Sequence, residues 1–178
     1  MHVDLTLPVG PRDHVQGSDA ARVTLLEYGD YECPYCGQAY PIVKAVQRAL
    51  GKDLRFVFRN FPLTQSHPHA ELAAEMAEAA AHQGKFWEMH DALYEHQDDL
   101  ERDSILELAA GLGLDRARLV ADLERRAFLP RVKEDFMSGV RSGVNGTPGF
   151  FIDGMRYQDS WDEETLLASL TQAVTARR

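Results

Sequence analysis

The stretch Tyr28-Gly-Asp-Tyr-Glu-Cys33-Pro-Tyr-Cys36-Gly37 constrains this chain more than any other. It holds the only two cysteines among 178 residues. Chance would set two cysteines at this Cys-x-x-Cys spacing in roughly one chain in a hundred. Ahead of them, Val23-Thr-Leu-Leu-Glu-Tyr28 is apolar and rich in β-formers, which predicts a strand. Behind them, the pattern from about Pro34 to Leu50 predicts a helix that Gly51 stops. Pro34 suits the first helical position, where its missing N–H would have had no partner.

A cysteine at a helix tip has particular chemistry. The unpaired N–H groups and the helix dipole favour negative charge there, so the Cys33 thiol should ionise more readily than usual. Cys36 lies one turn on and faces the same side, with its Cα roughly 5 Å away, within disulfide range. Cys33 is therefore the expected attacking thiol and Cys36 the resolving one. Two other readings stay open. A static bridge would close a very short loop and stabilise little. A zinc site would need two further ligands, for which His67 and His69 are the candidates. The strand–cysteine–helix context favours dithiol redox chemistry over both.

The length fits one domain, or one domain carrying an insertion. With 44% hydrophobic and 26% charged residues the chain reads as an ordinary soluble globular protein. A net charge of −9 argues against nucleic acid and anionic membrane surfaces as partners. Met1-His-Val-Asp-Leu-Thr-Leu-Pro has neither a basic nor an apolar leader region, and no segment reaches about 18 apolar residues. A cytoplasmic protein without a membrane span is the expectation, or a periplasmic or exported one if a leader has been removed; in the cytoplasm a disulfide is transient and catalytic. No phosphate-binding glycine loop, flavin signature or metal motif appears, so neither cofactor nor metal is expected.

In chain order, residues 1–11 read as a loose N-terminal arm and Arg12–Gln16 as a short edge strand. After the first helix, with Pro41 inside it, Leu54–Asn60 is the next strand, completing a βαβ unit. From 66 to 143 the periodicity is helical. Helices are expected from Pro68, around Phe86–Tyr94, after a cap at Asp103, after a cap at Asp115 and from Pro130. Gly149-Phe-Phe-Ile152 and Met155-Arg-Tyr157 flank Asp153-Gly154, a type I′ hairpin signal. Ser160-Trp-Asp-Glu163 reads as a capping box for a last helix reaching about Ala176, with Leu166, Leu167, Leu170 and Val174 inward. The order is βαβ, helices, ββα: an α/β mixed sheet with an all-helical insertion.

The chain resembles a DsbA-like thiol–disulfide oxidoreductase, a thioredoxin fold with inserted helices. The likeness spans residues 12–176. It rests on Cys33-Pro34-Tyr35-Cys36, on the distant Gly146-Thr147-Pro148 and on the Phe150–Gly154 hairpin. It implies a core of residues 12–65 and 144–178 around an insertion at 66–143. It also implies a cis Pro148 lying against the cysteines, with Thr147 free to pair with an extended substrate segment. Pro34 and Tyr35, between the cysteines, would join Thr147 and Pro148 in meeting the substrate. Glu27 matches an acid that in relatives lies beneath the pair and moves the proton of the resolving thiol; burial would raise its pKa toward the working range. Tyr31, Tyr35, Phe150 and Trp161 are candidates for an apolar rim, while core packing accounts for Phe150 and Trp161 as well.

The resemblance implies protein or peptide thiol and disulfide partners, and a recycling partner such as a thioredoxin or glutathione system. Pro-Tyr between the cysteines matches glutaredoxins rather than the Pro-His of the most oxidising periplasmic members. A neutral tyrosine, with Asp30 and Glu32 nearby, predicts a less favoured Cys33 thiolate and a weaker oxidant. A glutathione-dependent reductase is the alternative function, and a zinc-binding interaction module the more distant one.

Overall fold

In the computed structural model, residues 4–177 are described. Five strands form one sheet: β1 His14–Gln16, β2 Val23–Gly29, β3 Leu54–Asn60, β4 Gly149–Ile152 and β5 Met155–Arg156. Their spatial order is β1-β3-β2-β4-β5, with β2 parallel to β3 and the other pairs antiparallel. Helix α1, Pro34–Leu50, is the crossover between the two parallel strands. Helices α2 Ala70–Ala81, α3 Phe86–Glu95, α4 Arg102–Gly111, α5 Arg116–Glu124 and α6 Leu129–Arg141 all lie between β3 and β4 in sequence, and α7 Glu163–Ala176 follows the hairpin. This is the thioredoxin-like mixed sheet with an all-helical insertion.

The period-2 alternation of the strands sorts side chains onto two faces. One face carries Val23, Leu25, Leu54, Phe56, Phe58 and Phe150, packed with α1, α7 and the inserted helices into a single core. The other carries Leu26, Tyr28, Val57 and Phe151 over Leu5, Phe61 and Val144. β2 and β3 are covered on both sides, which is why they read as nearly continuous apolar runs. Glu27 interrupts that run in the central strand. Its registered neighbours are Phe58 on β3 and Phe150 on β4, so its carboxyl is set on the packed face between two aromatic side chains.

Several local expectations need correction. The N-terminal arm is not loose where it is described. Leu5 is buried, its N–H donates to the Gly154 carbonyl, and Thr6 bonds Ser142. The buried Arg59 guanidinium reaches the Leu7 and Pro8 carbonyls, Asp13 and the Tyr28 hydroxyl, so the arm satisfies donors that β3 would otherwise bury unpaired. Residues 1–3 of the arm lie outside the described residues. The edge strand begins at His14 rather than Arg12, and α2 begins at Ala70, after Pro68. Asp103 lies inside the first turn of α4, whose N-cap is Glu101. The cap of α7 is Asp162, which accepts from the Thr165 N–H, while the Ser160 hydroxyl donates to Asp162. The capping box was thus read two residues early. Asp115 does cap α5, accepting from Arg118 N–H. Asp153 and Gly154 both have positive φ, 50° and 81°, as the tight hairpin requires.

Candidate active site

The site forms where β2 ends, α1 begins and the 144–149 loop returns. Cys33 is the N-cap of α1, in extended backbone at φ −71° and ψ 122°, and Pro34 opens the helix. No acidic residue sits in the first turn of α1. Both cysteines are free thiols and both are buried, with Cys36 wholly enclosed. The Thr147–Pro148 peptide bond is cis, and the Thr147 carbonyl accepts from the Cys33 thiol at 3.5 Å. The sequence motifs at either end of the chain therefore meet at one sulfur.

The two thiols are driven apart electrostatically. A hydrogen bond from Cys36 pulls the pKa of Cys33 down to about 5, against the effect of burial, with help from Thr147 and the Tyr35 and Cys36 N–H groups of the helix tip. The Thr147 hydroxyl is buried and has no hydrogen-bond partner among the described residues. It faces the sulfur closely enough to favour the thiolate. Burial first, and then the bond to Cys33, push the Cys36 thiol well above its usual range. The Cys33 thiol ionises well below its ordinary value, as its place at the helix tip predicts, with a neutral tyrosine between the cysteines, because Cys36, Thr147 and the helix N–H groups favour the thiolate.

Glu27 is 3% exposed. Among the described residues its carboxyl has no hydrogen-bond partner. Desolvation, and secondarily the Cys33 thiolate, push its pKa up to about 8. Its charge acts on Cys36 as well, so it lies within electrostatic reach of both sulfurs. A carboxyl raised to about 8 is mostly protonated at neutral pH, and its ionised fraction can accept one proton and return it.

Asp30 and Glu32 do not act as bare opposing charges. The Asp30 carboxylate accepts from Glu32 N–H and Leu63 N–H and pairs with His67 Nδ1 at 2.7 Å. Glu32 pairs with His69 Nδ1 at 2.8 Å and accepts from His69 N–H. The Nδ1 atoms of both histidines are thus engaged by carboxylates, and among the described residues no group of three or more His, Cys, Asp or Glu side chains is arranged around one point as metal ligands. The aromatic rim is also corrected. Tyr31 and Phe150 are core residues, Trp161 is partly buried, and Tyr35 alone is exposed, at 62%. Tyr31 instead holds His90: its hydroxyl meets His90 Nδ1 at 3.0 Å.

Sequence reasoning missed Gln97, which follows α3 in the insertion. Its side-chain amide donates to the carbonyls of both Tyr31 and Cys33, at 2.8 Å each. A Cβ at Gly37 would come within 2.2 Å of Gln97 Oε1, so glycine in the first turn of α1 lets the insertion clamp the cysteine turn without displacement. No local signal marks a glutamine that bonds carbonyls more than sixty residues away.

Residues 10–172 match the family described as Thioredoxin. Among solved structures, a thioredoxin-like oxidoreductase from Silicibacter pomeroyi is 28% identical with a TM-score of 0.82, covering 93% of this chain and 94% of that one. Oxidised BdbD of Bacillus subtilis is 23% identical with a TM-score of 0.81, covering 90% and 92%. At that identity the second likeness concerns the fold alone. The Na(+)/H(+) antiporter NhaA 1 of Salinispora arenicola is 46% identical over 177 residues, which are 99% of this chain and 27% of the antiporter. The chain thus spans about a quarter of the length of the curated relatives it matches.

Proposed function

Since the chain belongs to the thioredoxin family, we propose that it is a DsbA-like thiol–disulfide oxidoreductase acting on protein or peptide substrates through Cys33 and Cys36. The observation that carries this reading is the polarised pair: a Cys33 thiol titrating at about 5 bonded to a Cys36 thiol held well above its usual range. A substrate disulfide is attacked by the Cys33 thiolate; one S–S bond forms as another breaks, and the released substrate sulfur takes a proton. Cys36 then attacks Cys33 and releases the second substrate thiol, leaving the enzyme disulfide. Two electrons pass to the substrate. The reverse sequence oxidises a dithiol. In the molecules whose Glu27 is ionised, a fraction that grows as pH rises toward about 8, the carboxylate receives the Cys36 proton as that thiol attacks and later gives it back.

Around the sulfurs, the Thr147 backbone and Pro148 receive an extended substrate segment as an added strand. The exposed Tyr35 ring, and Pro34 beside it, supply the apolar contact. The resemblance to a 28% identical oxidoreductase supports the same reaction class. The antiporter name belongs to proteins of which this chain matches about a quarter, and among the described residues no helix is long and apolar enough to cross a membrane. The transport activity is therefore not carried over.

The test is insulin reduction and oxidative refolding with the purified chain. Cys33→Ser is expected to abolish both, and Cys36→Ser to accumulate mixed disulfides. Activity retained by Cys33→Ser would refute the proposal. Turnover of glutathionylated substrates by the Cys36→Ser protein, without activity on protein disulfides in the wild type, would favour the glutathione-dependent alternative.

A further inference from the structure

Asp30 touches both cysteines through its backbone. Its carbonyl accepts from Cys33 N–H at 3.1 Å, and its N–H points to Cys36 Sγ at 3.5 Å. Its side chain is fully buried, and His67, arriving on the loop between β3 and α2, places Nδ1 2.7 Å from Oδ2 with only 18% of its own side chain exposed. Leu63 N–H binds the same oxygen, so the loop that carries His67 is fixed to the cysteine turn at two points. Asp30 thus holds His67 by its carboxylate while its backbone holds the Cys33 N–H and Cys36 Sγ.

The charge balance of this cluster changes with the state of the pair. With the pair reduced, the Cys33 thiolate and Asp30 are two anions near one imidazole. With the pair oxidised, the thiolate is gone. We propose that His67 is a positioning residue for the exchange reaction, binding its proton more tightly when the pair is reduced and, in its charged form, favouring the Cys33 thiolate. This rests on the function proposed above. In the step concerned, an incoming dithiol breaks the Cys33–Cys36 bond and becomes a disulfide. Its two electrons reduce the pair, one of its two protons stays on Cys36, and the other leaves for solvent or, where His67 is neutral, binds its ring. The groups acting most strongly on His67 have one sign when ionised: partial burial disfavours the charged ring, but Asp30, then Cys33, then Glu32 outweigh it and raise its pKa. Glu32 belongs to the parallel pair with His69.

Linkage makes the effect reciprocal: if the thiolate strengthens proton binding at His67, His67⁺ strengthens thiolate formation at Cys33 by the same free energy. The experiment is an NMR titration of the His67 ring in the full chain, reduced with dithiothreitol and again oxidised with diamide, alongside iodoacetamide labelling of Cys33 in wild type and His67→Gln. The expected midpoint for His67 is higher in the reduced protein. His67→Gln keeps an N–H for Asp30 but no charge, and its labelling at pH 5 is expected to slow about two- to threefold, the effect of one nearby opposite charge partly screened by solvent. An identical His67 midpoint in both redox states overturns the inference, and that comparison needs only wild-type protein. If diamide forms no Cys33–Cys36 disulfide, the proposed function falls and this inference with it. If the disulfide forms and exchanges while His67 does not respond, only the inference falls.

Discussion

Three glutamates are each 3% exposed, Glu27, Glu75 and Glu78, and the first and last of them are treated in opposite ways. Glu78 on α2 accepts from His14 Nε2 at 2.9 Å and from Asn60 Nδ2 at 2.7 Å. Burial opposes its ionisation, but His14, the charge of Arg131 and Asn60 outweigh it, so its pKa is lowered. Its neighbour Asp135 shares Asn60 and is pushed up to about 6 by burial, against the pull of Arg131. Glu27, between Phe58 and Phe150, is given no hydrogen bond and rises to about 8. The Glu78 cluster ties β1, β3, α2 and α6 together. Glu27 ties nothing together and faces the sulfurs. An ionisable group kept buried without a partner costs stability, and here it is kept where a proton has to move.

The contrast can be broken at its partnered end first. Glu78→Ala would strand His14 and Asn60 and is expected to cost about 2–6 kcal/mol in denaturant unfolding, since each of two buried hydrogen-bonding partners left without its acceptor costs roughly 1–3 kcal/mol. Any Glu78→Ala protein that folds should keep its exchange rate. A loss below 1 kcal/mol would mean the cluster is not the structural anchor described.

Glu27→Gln should move stability the other way. The folded state holds the Glu27 proton up to about pH 8, the unfolded chain only to about 4.5. Folding is therefore fully free of this burden below the lower value and loses stability as pH rises toward 8. At pH 7 the loss is about 3 kcal/mol, from 1.36 kcal/mol per unit. Glu27→Gln should recover most of it, flatten the unfolding free energy between pH 4.5 and 8, and slow disulfide exchange roughly tenfold or more. Glu78 gives the reverse pH signature. Its lowered pKa supplies stability above the unfolded value, which is lost as acid protonates it. Unfolding curves of the two variants against pH would separate these windows.

The smallest expected effect concerns Tyr94, whose hydroxyl is buried near Gly29 with no hydrogen-bond partner among the described residues. Burial raises its pKa well above the usual value, and Cys36 and Glu27 add to this. Tyr94→Phe is expected to leave stability within about 0.5 kcal/mol or to raise it slightly, because an unmade bond is not lost. A marked loss would reveal a bond to this hydroxyl and weaken the contrast between served and unserved polar groups.

Much of the fold was legible because its signals are local. The apolar runs at Val23–Tyr28 and Leu54–Asn60, the Gly51 stop and the Asp153-Gly154 turn each encode their geometry within a few residues. Cys33 and Cys36 were legible for the same reason, and Glu27 stood out as an acid in an apolar strand. What stayed hidden is tertiary. Thr6 meets Ser142, Gln97 meets Cys33 and His67 meets Asp30 only after the sheet has closed. Asp30 and Glu32 looked like charges opposing the thiolate because their histidine partners arrive on a different loop. Caps fell between these cases: with Ser160, Asp162 and Thr165 so close, several hydroxyls and carboxylates compete for the same N–H groups, and sequence spacing alone picked the wrong one.

The polarised pair itself is tested most directly by following thiolate absorbance at 240 nm in the reduced wild-type protein as pH is raised, with Cys33→Ser as the reference. The account predicts a first thiolate appearing with a midpoint near pH 5, absent from Cys33→Ser, and no second one until well above the ordinary thiol range. Two thiols ionising together near 9, the ordinary value, would contradict it.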